Sequence, residues 1–235
     1  MKKPLLLPVR SVIFLLVFTV GAAIAGRQVS EISCWWSIAA TAVNILTLGI
    51  LLVCARRSGQ TYIEMVNLRR GTPRKELIVI VLISLALGSG GMNLAGLICY
   101  GKMPYYPGAI VEPIPLALAA VNMLLLPLTT ALAEDGLYLG CGVNSIKNDK
   151  AAVIVPAFFY TLQHCFIPLV PDVRFIVYRF ISFLPLTVVF CIYYRKKRDP
   201  LPVMIAHTLL DLATASIILV TSADPSLYDK WMAAA

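Results

Sequence analysis

Seven apolar stretches take up most of this chain, and no other feature restricts its fold as much. They run from about Val9 to Ala25, Cys34 to Ala55, Leu77 to Tyr100, Ile114 to Val143, Ala151 to Val170, Phe175 to Tyr194 and Leu201 to Val220. Most reach the roughly 20 residues that a helix needs to cross a bilayer. Backbone inside lipid must satisfy its own hydrogen bonds, so the stretches are expected to be helices. The expected fold is therefore all-α: a polytopic transmembrane helical bundle with about seven membrane-spanning helices. Composition agrees, with 59% apolar and 14% charged residues, against about 45–50% and about 25% in an ordinary soluble domain. Disorder, coiled coil and a disulfide-rich secreted module are excluded. The six cysteines lie in or beside apolar runs with no CxxC pair, which suits packing rather than a zinc knuckle or disulfide framework.

The net charge of +8 invites a nucleic-acid reading. In a membrane chain it has a simpler source, because cytoplasmic loops collect Lys and Arg. Lys2, Lys3 and Arg10 precede or open segment one. Arg56, Arg57, Arg69, Arg70, Arg74 and Lys75 follow segment two, Lys147 and Lys150 follow segment four, and Arg195 to Arg198 follow segment six. These make 15 of the 20 basic residues; Arg27, Lys102, Arg174, Arg179 and Lys230 fall on the other side. The alternation predicts a multi-pass protein of the cell membrane, N-terminus in the cytoplasm and C-terminus outside, whose surroundings are the lipid bilayer and not nucleic acid. Lys2 and Lys3, with the small-x-small ending Ala23-Ile24-Ala25, also fit a cleaved signal peptide. The length of segment one favours a span.

The stretch Arg56 to Glu76 is the one long cytoplasmic connection. Its Tyr62 to Leu68 portion reads equally as a membrane-surface amphipathic helix or a solvated connector. Gly88-Ser89-Gly90-Gly91 is expected to let another helix approach segment three closely. Residues 1–112 form an N-terminal part with three helices and the basic loop, and residues 113–235 a core with four.

Nine of the twelve acidic residues lie in loops or at helix ends. Glu134, Asp135 and Asp211 lie inside apolar segments, as do both histidines, His164 and His207. Ionisable groups inside a membrane are expensive and mark functional sites by default. Glu134, His164 and His207 fall roughly 20, 21 and 14 Å from the basic loops at about 1.5 Å per helical residue, so they can share one layer. Pro127 adds an expected kink. His207 and Asp211, four apart, share a helix face, as do Tyr160 and His164. Glu134 and Asp135 point about 100° apart, so that one can face a site while the other braces a neighbouring helix. A lone intramembrane histidine is more often an interior hydrogen-bonding residue than a catalytic one. Convergence on three helices favours a joint site, with the buried carboxylates suited to acid or base chemistry.

At these residues the chain resembles the CPBP family of intramembrane proteases, also called Abi or CAAX-protease-and-bacteriocin-processing proteins. Its first motif, Glu-Glu-x-x-x-Arg with a following Gly, is matched by Glu134-Asp135-Gly136-Leu137-Tyr138-Leu139-Gly140. Its second, Phe-x-x-x-His, is matched by Tyr160 to His164, and its third, a His followed four later by Asn or Asp, by His207 to Asp211. The resemblance covers about Leu124 to Leu219. Asp135, Tyr160 and Leu139 depart from the pattern, and Leu139 leaves Asp135 without the motif's arginine on its own helix.

The resemblance implies proteolysis within the membrane, with Glu134 as the base that activates water. His164 and His207 either bind a metal together with Glu134, as a zinc ligand set, or stabilise the oxyanion in a metal-free mechanism, with Asp211 orienting His207. Both mechanisms use the same residues. The implied substrate is a membrane-embedded peptide or protein, with prenylated CAAX proteins among those the family processes. The competing functions are a catalytically degenerate scaffold or bacteriocin-immunity factor and a proton-coupled transporter.

Overall fold

A computed structural model describes residues 3–68, 71–105 and 107–234. Lys2, Arg69 and Arg70, three of the basic residues used to orient the chain, lie outside the described residues. Every regular element among the described residues is a helix. The principal ones are α1 (Val9–Ala25), α2 (Trp36–Arg57), α3 (Tyr62–Val66), α4 (Arg74–Tyr100), α5 (Leu116–Thr130), α6 (Asp149–His164), α7 (Val173–Lys197), α8 (Leu201–Ala223) and α9 (Pro225–Ala234). A π-helical segment, Ala131–Val143, continues α5 without a break.

All seven apolar stretches are helical. Five spans are long and apolar enough to cross a membrane: Val29–Arg57, which includes α2, Arg74–Tyr100, Leu116–Val143, Val173–Lys197 and Leu201–Ala223. The other two are shorter, with 17 residues in α1 and 16 in α6. Helix α6 stops at His164 rather than running on to Val170, because Pro168 and Pro171 cannot continue it. The irregular backbone after it is buried, and its carbonyls are satisfied by side chains: Arg179 donates to His164 and Ile167, and Ser33 to Leu169. Non-helical backbone is tolerated at such a place only when protein surrounds it.

Helix ends follow their sequences. Gly26 and Gly101 adopt left-handed φ of 62° and 68° and close α1 and α4, a conformation that glycine takes without a Cβ penalty. Asn148 and Asp172 cap the starts of α6 and α7 through their side chains.

The bundle is inside-out relative to a soluble protein. Leu16, Val20, Leu46, Leu82, Ile98, Leu124 and Ile154 are exposed, while Arg10, Asn44, Asn122, Glu134, Asp135, Gln163, Arg179 and His207 are buried. That pattern fits an apolar solvent. Polar side chains join neighbouring helices: Thr41 on α2 donates to Asn122 on α5 at 2.5 Å, and Asn44 to Thr130 at 2.9 Å. Helix α4 packs against α7 and α8. A Cβ on Gly88 would lie 2.8 Å from Leu210, and one on Gly91 2.4 Å from the Ser182 carbonyl oxygen, so two glycines of the Gly88 to Gly91 run do serve close packing.

Candidate active site

The π segment carries both motif carboxylates. Such winding is rare and recurs at functional sites. Here it is held from the side by α3. The Tyr62 hydroxyl donates to the Leu132 carbonyl at 2.6 Å, and burial pushes that hydroxyl's pKa up, which keeps it a donor. Gly136 and Gly140 admit α3: a Cβ on either would lie 2.7 Å from Tyr62 Oη or 2.8 Å from Val66 Cγ1. The Tyr62 to Leu68 stretch therefore packs against the π segment. It forms a short helix that buries Met65 and Val66 and leaves Ile63 and Glu64 exposed.

The two adjacent carboxylates face different neighbours. Glu134, 2% exposed, accepts from Arg10 Nη2 at 2.9 Å on Oε1 and from Gln163 Nε2 at 2.6 Å on Oε2. That second oxygen also lies 3.6 Å from His164 Nε2. Asp135 is fully buried. Its Oδ1 accepts from the Tyr160 hydroxyl at 2.8 Å and lies 3.5 Å from His207 Nδ1.

Each histidine is braced. His164 closes α6 where its carbonyl accepts from Arg179 Nε at 3.1 Å. Its ring stacks on Phe183 at 3.9 Å, and the Arg179 guanidinium lies 4.6 Å from that same phenyl ring. His207 Nδ1 sits 2.9 Å from Tyr160 Oη, and Nε2 lies 3.8 Å from Asp211 Oδ2. Tyr160 is itself stacked on Tyr138, ring centroids 4.4 Å apart.

The five residues singled out in the sequence therefore gather at one place, as two carboxylate–histidine pairs: Glu134 with His164, and Asp135 with His207, the latter flanked by Asp211. Their imidazoles form part of the wall of a cavity of about 280 Å³ between α4, α7 and α8. Tyr160 and Asp211 also line it, with Met92, Phe183, Leu186, Phe190 and Leu210 among its apolar residues. Glu134 and Asp135 stand behind the histidines and do not line it.

This arrangement does not fit a zinc centre built from Glu134, His164 and His207. Both Glu134 oxygens are engaged by Arg10 and Gln163. His207 Nδ1 is taken by Tyr160 and lies beside Asp135. Among the described residues no group of three or more His, Cys, Asp or Glu is placed to hold a metal ion.

Residues 116–213 match the family of type II CAAX prenyl endopeptidase Rce1-like proteins. No curated protein and no solved structure matches the chain. The Rce1-like stretch holds both carboxylate–histidine pairs, Asp211, Gln163 and Arg179. The match supports a CAAX-type protease at family level, and together with the five apolar spans it supports a multi-pass membrane protein.

Several supporting residues of this Rce1-like site were not singled out from the sequence. Arg10 and Arg179, 2% and 5% exposed, lie inside the bundle and not in the loops where the charge alternation places them. They meet the criterion that selected the carboxylates and histidines, an ionisable group within an apolar stretch. Removing both leaves 14 basic residues against 4, so the predicted bias survives. Gln163, adjacent to His164, carries no charge and gave no such signal.

Proposed function

We propose that the protein is a CAAX-type intramembrane endopeptidase that hydrolyses a peptide bond in a membrane-associated peptide or protein, prenylated substrates included, by a metal-free mechanism. One observation carries this reading: each motif carboxylate stands behind its own histidine, and both histidines open onto one largely apolar cavity. An apolar cavity wall suits a lipidated or membrane-embedded segment. The predicted orientation puts the site nearer the cytoplasmic side, where a lipidated C-terminus would enter.

In this mechanism a water in the cavity gives its proton to the Glu134–His164 pair. The resulting hydroxide attacks the scissile carbonyl carbon. His207, held by Asp135 and Tyr160, donates from Nε2 to the oxyanion. Collapse of the tetrahedral intermediate breaks the C–N bond, and the proton held by Glu134–His164 passes to the leaving amine. No step is routed through a metal.

The test is cleavage of a farnesylated CAAX peptide by purified protein in lipid vesicles, before and after treatment with a strong zinc chelator. Cleavage that resists chelation and is lost in Glu134→Ala, His164→Ala and His207→Ala, with each variant still inserted, is the expected result. Cleavage by Glu134→Ala protein would overturn the assignment. A folded wild type inert toward lipidated peptides would favour the scaffold or immunity role.

A further inference from the structure

We infer that Arg10, on the first helix and outside the Rce1-like stretch, is a positioning residue of the active site that aims the Glu134 carboxylate at His164. The inference rests on the protease reading for its kinetic consequence and on geometry for the rest. Arg10 is 2% exposed. Its guanidinium donates to Gln163 Oε1 at 2.8 Å, Thr47 Oγ1 at 2.8 Å, Asn44 Oδ1 at 2.7 Å and Glu134 Oε1 at 2.9 Å. All four partners are side chains, and they come from α2, the π segment and α6.

Two of these bonds act on the same carboxylate by different routes. The Nη2 contact fixes Glu134 Oε1 directly. The Nε contact holds the oxygen of the Gln163 amide, together with the Tyr138 hydroxyl at 3.0 Å. With its oxygen so placed, Gln163 must turn its NH₂ the other way, onto Glu134 Oε2 at 2.6 Å. One guanidinium thus determines what both carboxylate oxygens meet, and the second oxygen is the one that faces His164. A planar fork with five fixed donors can do this; a point charge cannot. The chain has leucine at position 139, where the resembled motif carries arginine. The cation on Glu134 is brought from a helix more than a hundred residues earlier, while Asp135 meets Tyr160 and His207 instead of an arginine.

Three measurements test this. The first is thermal melting of purified Arg10→Met, Glu134→Gln and the double variant. Each single change leaves one buried charge without its partner, so the double variant should melt above Arg10→Met. Additive losses would overturn the pairing, whatever the enzymatic result. The second is kinetics on the farnesylated CAAX peptide. Arg10→Met should lower kcat about 100-fold with KM changed less than about threefold, as misplacement of a reacting group does. Arg10→Lys, which keeps the charge without the fork, should recover only part of kcat. Unchanged kcat in a folded Arg10→Met protein would overturn the positioning role, whereas a wild type that cleaves nothing would count against the protease reading instead. The third is the N-terminus of the purified protein, which should precede Arg10. A mature, active chain beginning at Gly26 would remove Arg10 and overturn the inference.

Discussion

The Tyr160 hydroxyl lies 2.9 Å from Nδ1 of His207 and bridges it to Asp135, 2.8 Å away. The resembled motif carries phenylalanine at this position and glutamate where Asp135 stands. The shorter carboxylate and the added hydroxyl occur together, and the hydroxyl spans the gap between Asp135 and the imidazole. Asp135 Oδ2 has no hydrogen-bond partner among the described residues, so Oδ1 carries the whole of its contact with His207 and Tyr160. Tyr160→Phe should keep the ring stack on Tyr138 and lose the bridge. We expect a stability loss of about 1–3 kcal/mol, the cost of leaving buried polar groups unpaired, and a kcat lower by roughly tenfold. Melting curves and steady-state kinetics in detergent check both. A variant equal to wild type in both would show that the bridge has no role.

Leu139 shows why restoring a motif letter need not restore a motif. It is fully buried in the cluster that holds Leu7, Leu51, Met65 and Val66, while Glu134 already takes its cation from Arg10. Leu139→Arg would place a second guanidinium in an apolar environment with Glu134 already paired. The expected cost is about 3 kcal/mol or more, read as a lower melting temperature and poor recovery of folded protein from membranes. An unchanged melting temperature would mean that the arginine finds a carboxylate or reaches the aqueous boundary.

Much of this architecture was legible in the sequence because the membrane imposes it. Apolar runs must be helices, and their ionisable residues must face one another. The depth estimates that grouped Glu134, His164 and His207 on three separate helices agreed with their gathering at one site. Three features were not legible. The π winding at Ala131–Val143 leaves no hydropathy signature, and the 100° rotation assumed between Glu134 and Asp135 belongs to an α-helix. The end of α6 at His164 was masked by the apolar run through Val170, although Pro168 and Pro171 marked it. The burial of Arg10 and Arg179 is the third. A basic residue near the end of an apolar segment serves equally well as a topology signal, and only packing separates a loop charge from a buried one.

The close approach of α3 to the π segment gives a third prediction. A Cβ at position 136 would lie 2.7 Å from Tyr62 Oη, 3.0 Å from Leu51 Cδ1 and 3.1 Å from Tyr62 Cε2. Gly136→Ala should therefore push α3 away and weaken the Tyr62 to Leu132 bond, costing about 1–3 kcal/mol as overpacking does. Tyr62→Phe removes the nearest clashing atom. The double variant should accordingly be less destabilised than the sum of the two single changes. Melting temperatures of the three variants decide it, and strict additivity would mean that α3 does not bear on Gly136.

Arg179 provides the last prediction, because it reaches His164 from two sides. It donates to the His164 and Ile167 carbonyls at 3.1 and 2.7 Å, where the end of α6 leaves acceptors exposed to its charge. It also lies against Phe183, whose other contact is the His164 ring. Lysine retains the charge but cannot bond both carbonyls in one plane. In Arg179→Lys the last turn of α6 should loosen and His164 should drift from Glu134. We expect kcat for the farnesylated CAAX peptide to fall about 10- to 100-fold. Hydrogen exchange should rise at residues 164–167, while α7, capped by Asp172 through the Arg174 amide, stays protected. Faster exchange along all of α7 would point to general unfolding. Wild-type kcat with unchanged exchange would show that the stack on Phe183 and the contact with Glu134 hold His164 without the arginine.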